Sequence, residues 1–567
     1  MKDILYAIFL LSLFSIILSL KCGFNKIKKP KITKLPYNNS TNSNTKLRRI
    51  SSRPIEIYVD YEILEADVEK GNITQEYLNN VKEAFDLTIN AFKKYLTVKQ
   101  TSEIIINIGE LDNILEDFSV KDIQNLIKNY KKLEKDLYLV PYIFDIEGID
   151  AAAYPLLIDS ETNRPVFGGI MLGTHYSFSA SNSIRYLAML FLHEISHILA
   201  FNIVLFDLFL GVSNPTMNVI VNGIERTLLK TPKVVEFARG HFGCPSLIGV
   251  ELENQGGEGS AGSHWEARLM LGDYMISTDY NELVVSDISL AIFEDSGWYE
   301  VNYYTGGLFK TGKGEGCNFL QLSCINENET SNFPLDFCSE KGIDTCSPGL
   351  IDRGICYLVD SLDDIPLEYL YFNNNYTGFE PSDYCPISIY YDDDYYLTSR
   401  CDIHGIKKLP DELYEDYGPN NFCFQSSLLK NSVIDILSDY KDVLTARCYK
   451  ITECNTNTLS YSVEIDSGIN SICSEANETK KNIIDGYDGY FICPPYWRVC
   501  GGTVLCNDPF ECLDKLSITQ IKDTYRYVVN KTEYTPKEET EEVDSKNLFC
   551  LIDYNLWILV MFILFIL

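Results

Sequence analysis

One stretch of the chain places two imidazoles and a carboxylate where a single metal ion could use them. It reads Phe191-Leu192-His193-Glu194-Ile195-Ser196-His197-Ile198-Leu199. On a helix, His193 and His197 stand about one turn apart and project from the same face. Neutral imidazole suits zinc, and Glu194 lies beside the pair without being forced to ligate. Glu194 can take a proton from zinc-bound water and return it to a leaving amine, while zinc brings that water's pKa down to about 7. With 6 histidines in 567 residues, His-Glu-x-x-His arises by chance less than roughly once in a hundred such chains. Two histidines hydrogen-bonded locally on a helix flank is the plainer reading, but the apolar flanking helix is what a buried metal site needs.

A catalytic zinc takes three protein ligands, so a third must come from elsewhere. The segment from Glu253 to Glu266 offers His264 after a glycine-rich approach, and Met275 follows eleven residues later. Around them stand Ser263-His264-Trp265-Glu266, Thr231-Pro232-Lys233-Val234-Val235-Glu236, His241-Phe242-Gly243-Cys244 and Asp295-Ser296-Gly297-Trp298-Tyr299. These motifs resemble the leishmanolysin (invadolysin-like) family of zinc metallopeptidases in the metzincin clan. The resemblance is close over about residues 53–350.

The resemblance implies one zinc per chain on His193, His197 and His264, Glu194 as general base and Met275 as a hydrophobic floor. It places Gly168, Gly169, Ile170, Met171 and Leu172 on an edge strand that pairs with an extended peptide. It implies an α+β fold: a zincin/metzincin-like catalytic domain with a large insertion before the third histidine, then a disulfide-rich, mainly β or irregular C-terminal domain. The expected activity is hydrolysis of protein or peptide substrates at the cell surface, with a contribution to adhesion, or an adhesion protein on the same scaffold. Two positions depart from the family pattern. Ala200 stands where the family has a turn glycine, and alanine in a left-handed conformation would cost about 1 kcal/mol or more. Either that turn is built differently or the helix continues. The only cysteine available as a prosegment zinc blocker is Cys22; otherwise it is a leftover thiol.

The elements that must position these groups follow from pattern. Ser181-Asn182-Ser183 supplies capping chemistry for an apolar helix through Leu187, Leu190 and Phe191. Ile55, Ile57 and Val59 alternate as in a strand, residues 60–99 carry helical periodicity, and 104–108 predict a second strand. A third is expected over 164–172, with Gly168-Gly169 permitting close backbone approach. Seven segments result: a signal peptide (1–20), a basic prosegment (21–49), a catalytic subdomain ending in the His-Glu-x-x-His helix (50–200), an inserted subdomain (201–263), the third ligand and methionine turn (264–316), a cysteine-rich domain (317–536), and an acidic stalk with an apolar anchor signal (537–567).

Composition gives the address. The chain has 18 cysteines, 16 of them from Cys317 onward, which fits an oxidising compartment. Residues 4–20 read as a secretory signal or an uncleaved anchor. The uncharged run from Leu556 to Leu567 reads as a glycosylphosphatidylinositol signal; the other reading is a membrane helix from Leu548 to Leu567. Sequons such as Asn72 and Asn328 suit that route, so a surface glycoprotein anchored in the membrane is expected. The net charge of −32 argues against nucleic-acid binding. Residues 21–49 hold nine basic and no acidic residues and end in Arg48-Arg49, so the body from 50 to 545 carries −41. That asymmetry predicts a removable basic segment docked on an acidic body; a basic linker is the other reading.

Overall fold

Strands with apolar side chains on both faces and two long helices build the support for the histidines. The computed structural model describes residues 32–34 and, with internal gaps, 52–500; the gaps include 100–103, 106–122, 145–149, 174–182, 256–259, 304–308, 390–398, 403–414 and 432–443. The chain divides into Met1–Lys531 and Thr532–Leu567, and all described residues belong to the first unit. The signal segment, Cys22, the dibasic site, His175, His404 and the C-terminal tail lie outside the described residues.

Strands β1 (Thr33–Lys34), β2 (Ile57–Val59), β3 (Leu137–Ile143), β4 (Ala151–Ile158) and β5 (Pro165–Leu172) form one sheet in the order β1-β4-β5-β3-β2. β2, β3 and β5 are parallel, and β4 is antiparallel to β5. Nearly every residue of β3, β4 and β5 is buried, as expected of strands covered on both faces.

This order corrects the expected edge strand. Gly168, Gly169, Ile170, Met171 and Leu172 lie in β5, an interior strand. Gly168 pairs with Leu139 on one side and Pro155 on the other, and Ile170 with Pro141 and Ala153. Both ladders of β5 are therefore taken, and none remains for a peptide. The outer antiparallel strand is β4. Among the described residues, its outer side is met only by β1, which runs parallel to it with Thr33 opposite Leu157 and Lys34 opposite Ile158. The close approach expected of the glycine pair is present: a Cβ on Gly168 would fall 2.6 Å from Ile198 Cδ1, beside His197.

The helical stretch expected over 60–99 is two helices and a short strand. α1 (Glu62–Glu69) stops before Gly71, whose φ of +76° a side chain would resist. α2 (Gln75–Tyr95) begins at Thr74, whose hydroxyl accepts from the Tyr77 amide at 3.1 Å. Its apolar face, including Val81, Phe85, Ile89 and Phe92, packs on α3 (Ser183–Leu199), where Phe85 stacks on Phe191 with ring centres 4.0 Å apart. Thr88 Oγ1 lies 2.9 Å from the Ala188 carbonyl and ties the two helices across their contact. The stretch Ile184–Phe206 is apolar enough to cross a membrane, but 83% of its most apolar window is buried inside the protein. It is a core helix.

The insert carries β6 (Thr216–Val221), β7 (Ile224–Leu229) and β8 (Val250–Leu252) in one antiparallel sheet, with α4 (Pro232–Phe242) between β7 and β8. Asp295, at the end of α5 (Asp287–Asp295), accepts from the Lys233 and Val234 amides, placing a carboxylate at the first turn of α4. The main apolar core runs from Ile55 to Ile387, across residue 316, and Cys244–Cys317 ties the insert to the start of the cysteine-rich region. A separate core forms around Phe424, Tyr449 and Phe491 on a six-stranded antiparallel sheet. Among the described residues, the other disulfides join Cys324–Cys385, Cys338–Cys356, Cys346–Cys423, Cys401–Cys448, Cys454–Cys500 and Cys473–Cys493.

Candidate metal centre

His193, His197 and His264 converge, with one ligand atom from each lying within 4.8 Å of the others. Among the described residues they are the one such group of histidine, cysteine and carboxylate side chains. All three are buried, His197 and His264 completely. α3 supplies the first two from one face. The third arrives by a fold-back: the Glu253 amide donates to the His264 carbonyl at 2.9 Å, and Leu252 bridges to Trp265. β8 thus carries the insert back to the helix.

Each imidazole is oriented through Nδ1. That of His193 lies 2.7 Å from the Tyr274 carbonyl, and that of His197 lies 2.7 Å from the Phe201 carbonyl. A carbonyl can only accept, so Nδ1 carries the proton on both rings and Nε2 carries a lone pair. The two Nε2 atoms face each other at 3.0 Å. His264 Nε2 is buried without a hydrogen-bond partner. Three buried lone pairs aimed at one another repel unless a cation lies between them, so the donor set fits zinc. Burial, reinforced by His264, pushes His193 down to about 3, against the pull of the Tyr274 carbonyl. Burial and the neighbouring rings hold His197 well below the usual imidazole range. Both are neutral at physiological pH, the form that ligates metal.

Glu194 is fully buried between these histidines in sequence. With His193 it lines a cleft of about 410 Å³, whose walls include Tyr186, Met189, Tyr274, Ser277 and Leu283. Met275 is fully buried in a turn that is pinned at several points. Its amide donates to Asp273 Oδ1 at 2.8 Å, and its carbonyl accepts from the Trp265 amide at 3.0 Å. Trp265 Nε1 donates to Ser289 Oγ at 2.7 Å, which in turn lies 2.8 Å from the Asp273 carboxylate. One buried network therefore holds the methionine turn against the third ligand's neighbour.

The question posed by Ala200 has a structural answer. α3 ends at Leu199, and Ala200 is not among the residues with positive φ. The Phe201 amide donates back to the Ser196 carbonyl at 2.8 Å, and the Phe201 carbonyl then meets His197. The turn is made without a left-handed residue, so its strain does not arise. His241, with no ligand spacing, hydrogen-bonds the Thr311 carbonyl at 2.7 Å and stacks on Phe309.

Several residues at the site escape sequence reasoning: Asp273, Tyr274, Ser289 and Glu253. Tyr274 acts through its carbonyl, which no side-chain pattern can reveal. The acids carry no spacing rule, because the contacts they make are set by the fold-back. Behind the site, Arg226 and Arg268 form buried ion pairs with Glu251 and Asp383, which link the insert to residues beyond 317.

The family model described as leishmanolysin matches residues 49–506. A leishmanolysin-like peptidase of Caenorhabditis elegans is 32% identical over 320 residues, 50% of this chain and 47% of the relative. The leishmanolysin of Leishmania donovani is 26% identical, covering 55% of this chain and 52% of that protein. A leishmanolysin-like peptidase of Drosophila melanogaster is 37% identical over 155 residues, 26% of this chain and 23% of the relative. The chain spans about half the length of these three relatives or less.

Proposed function

The chain belongs to the leishmanolysin family, and from that membership we propose that it is a zinc-dependent metalloendopeptidase of the metzincin type, acting at the cell surface on protein or peptide substrates. The observation that carries the proposal is the convergence of three buried imidazoles, Nε2 inward, beside Glu194 at a cleft.

His193, His197 and His264 would hold one zinc ion. Bound there, zinc supplies Lewis-acid polarisation of the scissile carbonyl and acidifies water. Glu194 takes the proton of the attacking water and delivers it to the departing amine. The buried turn at Met275 keeps the ligands rigid from below. An extended substrate pairs along the outer side of β4, the antiparallel strand on that flank of the sheet.

The basic segment 21–49 acts as a prosegment. Support comes from its described part: Thr33–Lys34 already pairs with β4, and Ile32 packs against the main core. Run parallel to β4, this strand occupies ladder positions that a substrate would need. Cys22 as a zinc blocker, and the apolar tail as a membrane anchor, rest on sequence alone.

The reading is tested with the full-length chain as Glu194→Ala, assayed for casein cleavage and cell attachment separately, with and without a zinc chelator. Cleavage is expected to vanish in the variant and under chelation. Cleavage retained by the variant would sink the mechanism; attachment unchanged would show that adhesion needs no catalysis.

A further inference from the structure

The three candidate ligands are not held alike. His193 and His197 each meet a neutral backbone carbonyl through Nδ1. His264 Nδ1 likewise has a backbone carbonyl, that of Ser260, as partner, but a carboxylate stands beside it as well: Glu253 Oε2 lies 3.3 Å away, within ion-pair range. Ser260 completes this side, with its carbonyl and its hydroxyl each 3.2 Å from the same Nδ1. The Ser260 hydroxyl donates to Glu253 Oε2 at 2.7 Å. The other oxygen, Oε1, accepts from Ser277 Oγ at 2.7 Å. Ser277 lines the cleft with His193 and Glu194. Glu253 is buried, and its backbone pairs across the loop with the His264 carbonyl and the Gly262 amide.

We infer that Glu253 is a positioning residue of the metal centre. Its carboxylate fixes His264 with Nδ1 protonated and Nε2 free for zinc, and through Ser277 it sets the cleft wall against that ligand. The inference rests on the reading that the three histidines hold zinc. Two physical effects give it weight. A carboxylate beside Nδ1 favours the Nδ1–H tautomer and raises the basicity of the ligating nitrogen beyond what the carbonyl alone does. The anion also offsets part of the ion's charge, which three neutral imidazoles leave uncompensated. The third ligand needs this more than the others do. It follows a glycine-rich stretch of sequence and does not lie in a long helix, so its ring has no regular element to hold it.

The test uses the full-length chain as wild type, Glu253→Gln and Glu253→Ala. Zinc dissociation constants are measured by chelator competition, and melting temperatures with and without zinc. Gln is isosteric; it keeps one acceptor oxygen for one serine and offers an amide N–H to the hydroxyl oxygen of the other, so it separates charge from packing. Both variants are expected to bind zinc about 10–100-fold more weakly, Ala at least as weakly as Gln. The zinc-induced rise in melting temperature should shrink in both, while the zinc-free Gln variant melts like zinc-free wild type. Zinc affinity within twofold of wild type in both variants would overturn the inference. So would an equal loss of melting temperature with and without zinc, which marks a structural role only. If wild type itself takes up no zinc, the metal-centre reading fails as well, an outcome distinguishable from failure of Glu253 alone.

Discussion

The carbonyl oxygen of Tyr274 accepts the Nδ1 proton of His193 at 2.7 Å, so the residue before Met275 orients the first helical histidine. The methionine turn therefore acts on the site through its backbone as well as by filling space. Because the same turn is fixed by Asp273, Ser289 and Trp265, α3 and the third-ligand segment answer to one buried network.

Helix α3 approaches the sheet at a glycine. A side chain at 168 meets Ile198 head-on, whereas a Cβ at Gly169 would sit 3.3 Å from the Tyr154 ring. Gly168→Val is expected to destabilise the protein by about 1–3 kcal/mol and to weaken zinc binding, because the displaced Ile198 adjoins His197. Gly169→Ala should cost less. Urea unfolding of both variants beside wild type checks this; equal midpoints would show that the close approach bears no stress.

Glu282 gives a stability signature in pH. Burial raises its carboxyl to about 7, against the lowering effects of the Ser347 hydroxyl and the Gly349 and Ile351 amides. A pKa raised on folding favours the protonated native form. The stabilisation is complete below about 4.5 and is lost as pH rises through about 7. Relative to Glu282→Gln, wild type should lose about 3 kcal/mol between pH 4.5 and pH 8. Unfolding free energies of the two proteins at both pH values measure it; a constant difference would contradict the shift.

Docking of the basic segment on β4 predicts latency that can be broken in two ways. Thr33→Pro removes an amide from the short parallel ladder and should raise peptidase activity of the unprocessed chain. Salt should act in the same direction, because the +9 of residues 21–49 faces a body of −41 and screening shortens to about 3 Å at 1 M. Activity of the unprocessed protein is followed with a fluorogenic peptide across salt concentration. Latency unaffected by the substitution and by salt would remove the docking model, and latency unchanged on mutating Cys22 would remove the thiol from it.

The chemistry was more legible than the scaffold. His193, Glu194 and His197 stand out because metal ligation restricts residue type and helical spacing, and His264 because the motif around it resembles the family's. The helix around the first three follows from its apolar face. β3 and β4 are harder to see, since strands buried on both faces lose the period-two alternation and each contains a proline, Pro141 and Pro155, that argues locally against a strand. Strand order is non-local, so a glycine-bearing strand such as 165–172 gives no sign that it is interior. Disulfide partners are equally hidden: Cys346 and Cys423 are paired although they stand 77 positions apart in the chain. Glu253 stands in the segment that carries the third histidine, yet its role exists only once that segment doubles back.

The most direct test of the whole account is zinc content, measured by elemental analysis of the purified full-length chain beside His264→Ala. The account predicts close to one zinc per chain in the wild type and a fall to a small fraction in the variant, because a two-histidine site lacks its third ligand. Equal zinc in both proteins, or none in either, would contradict it.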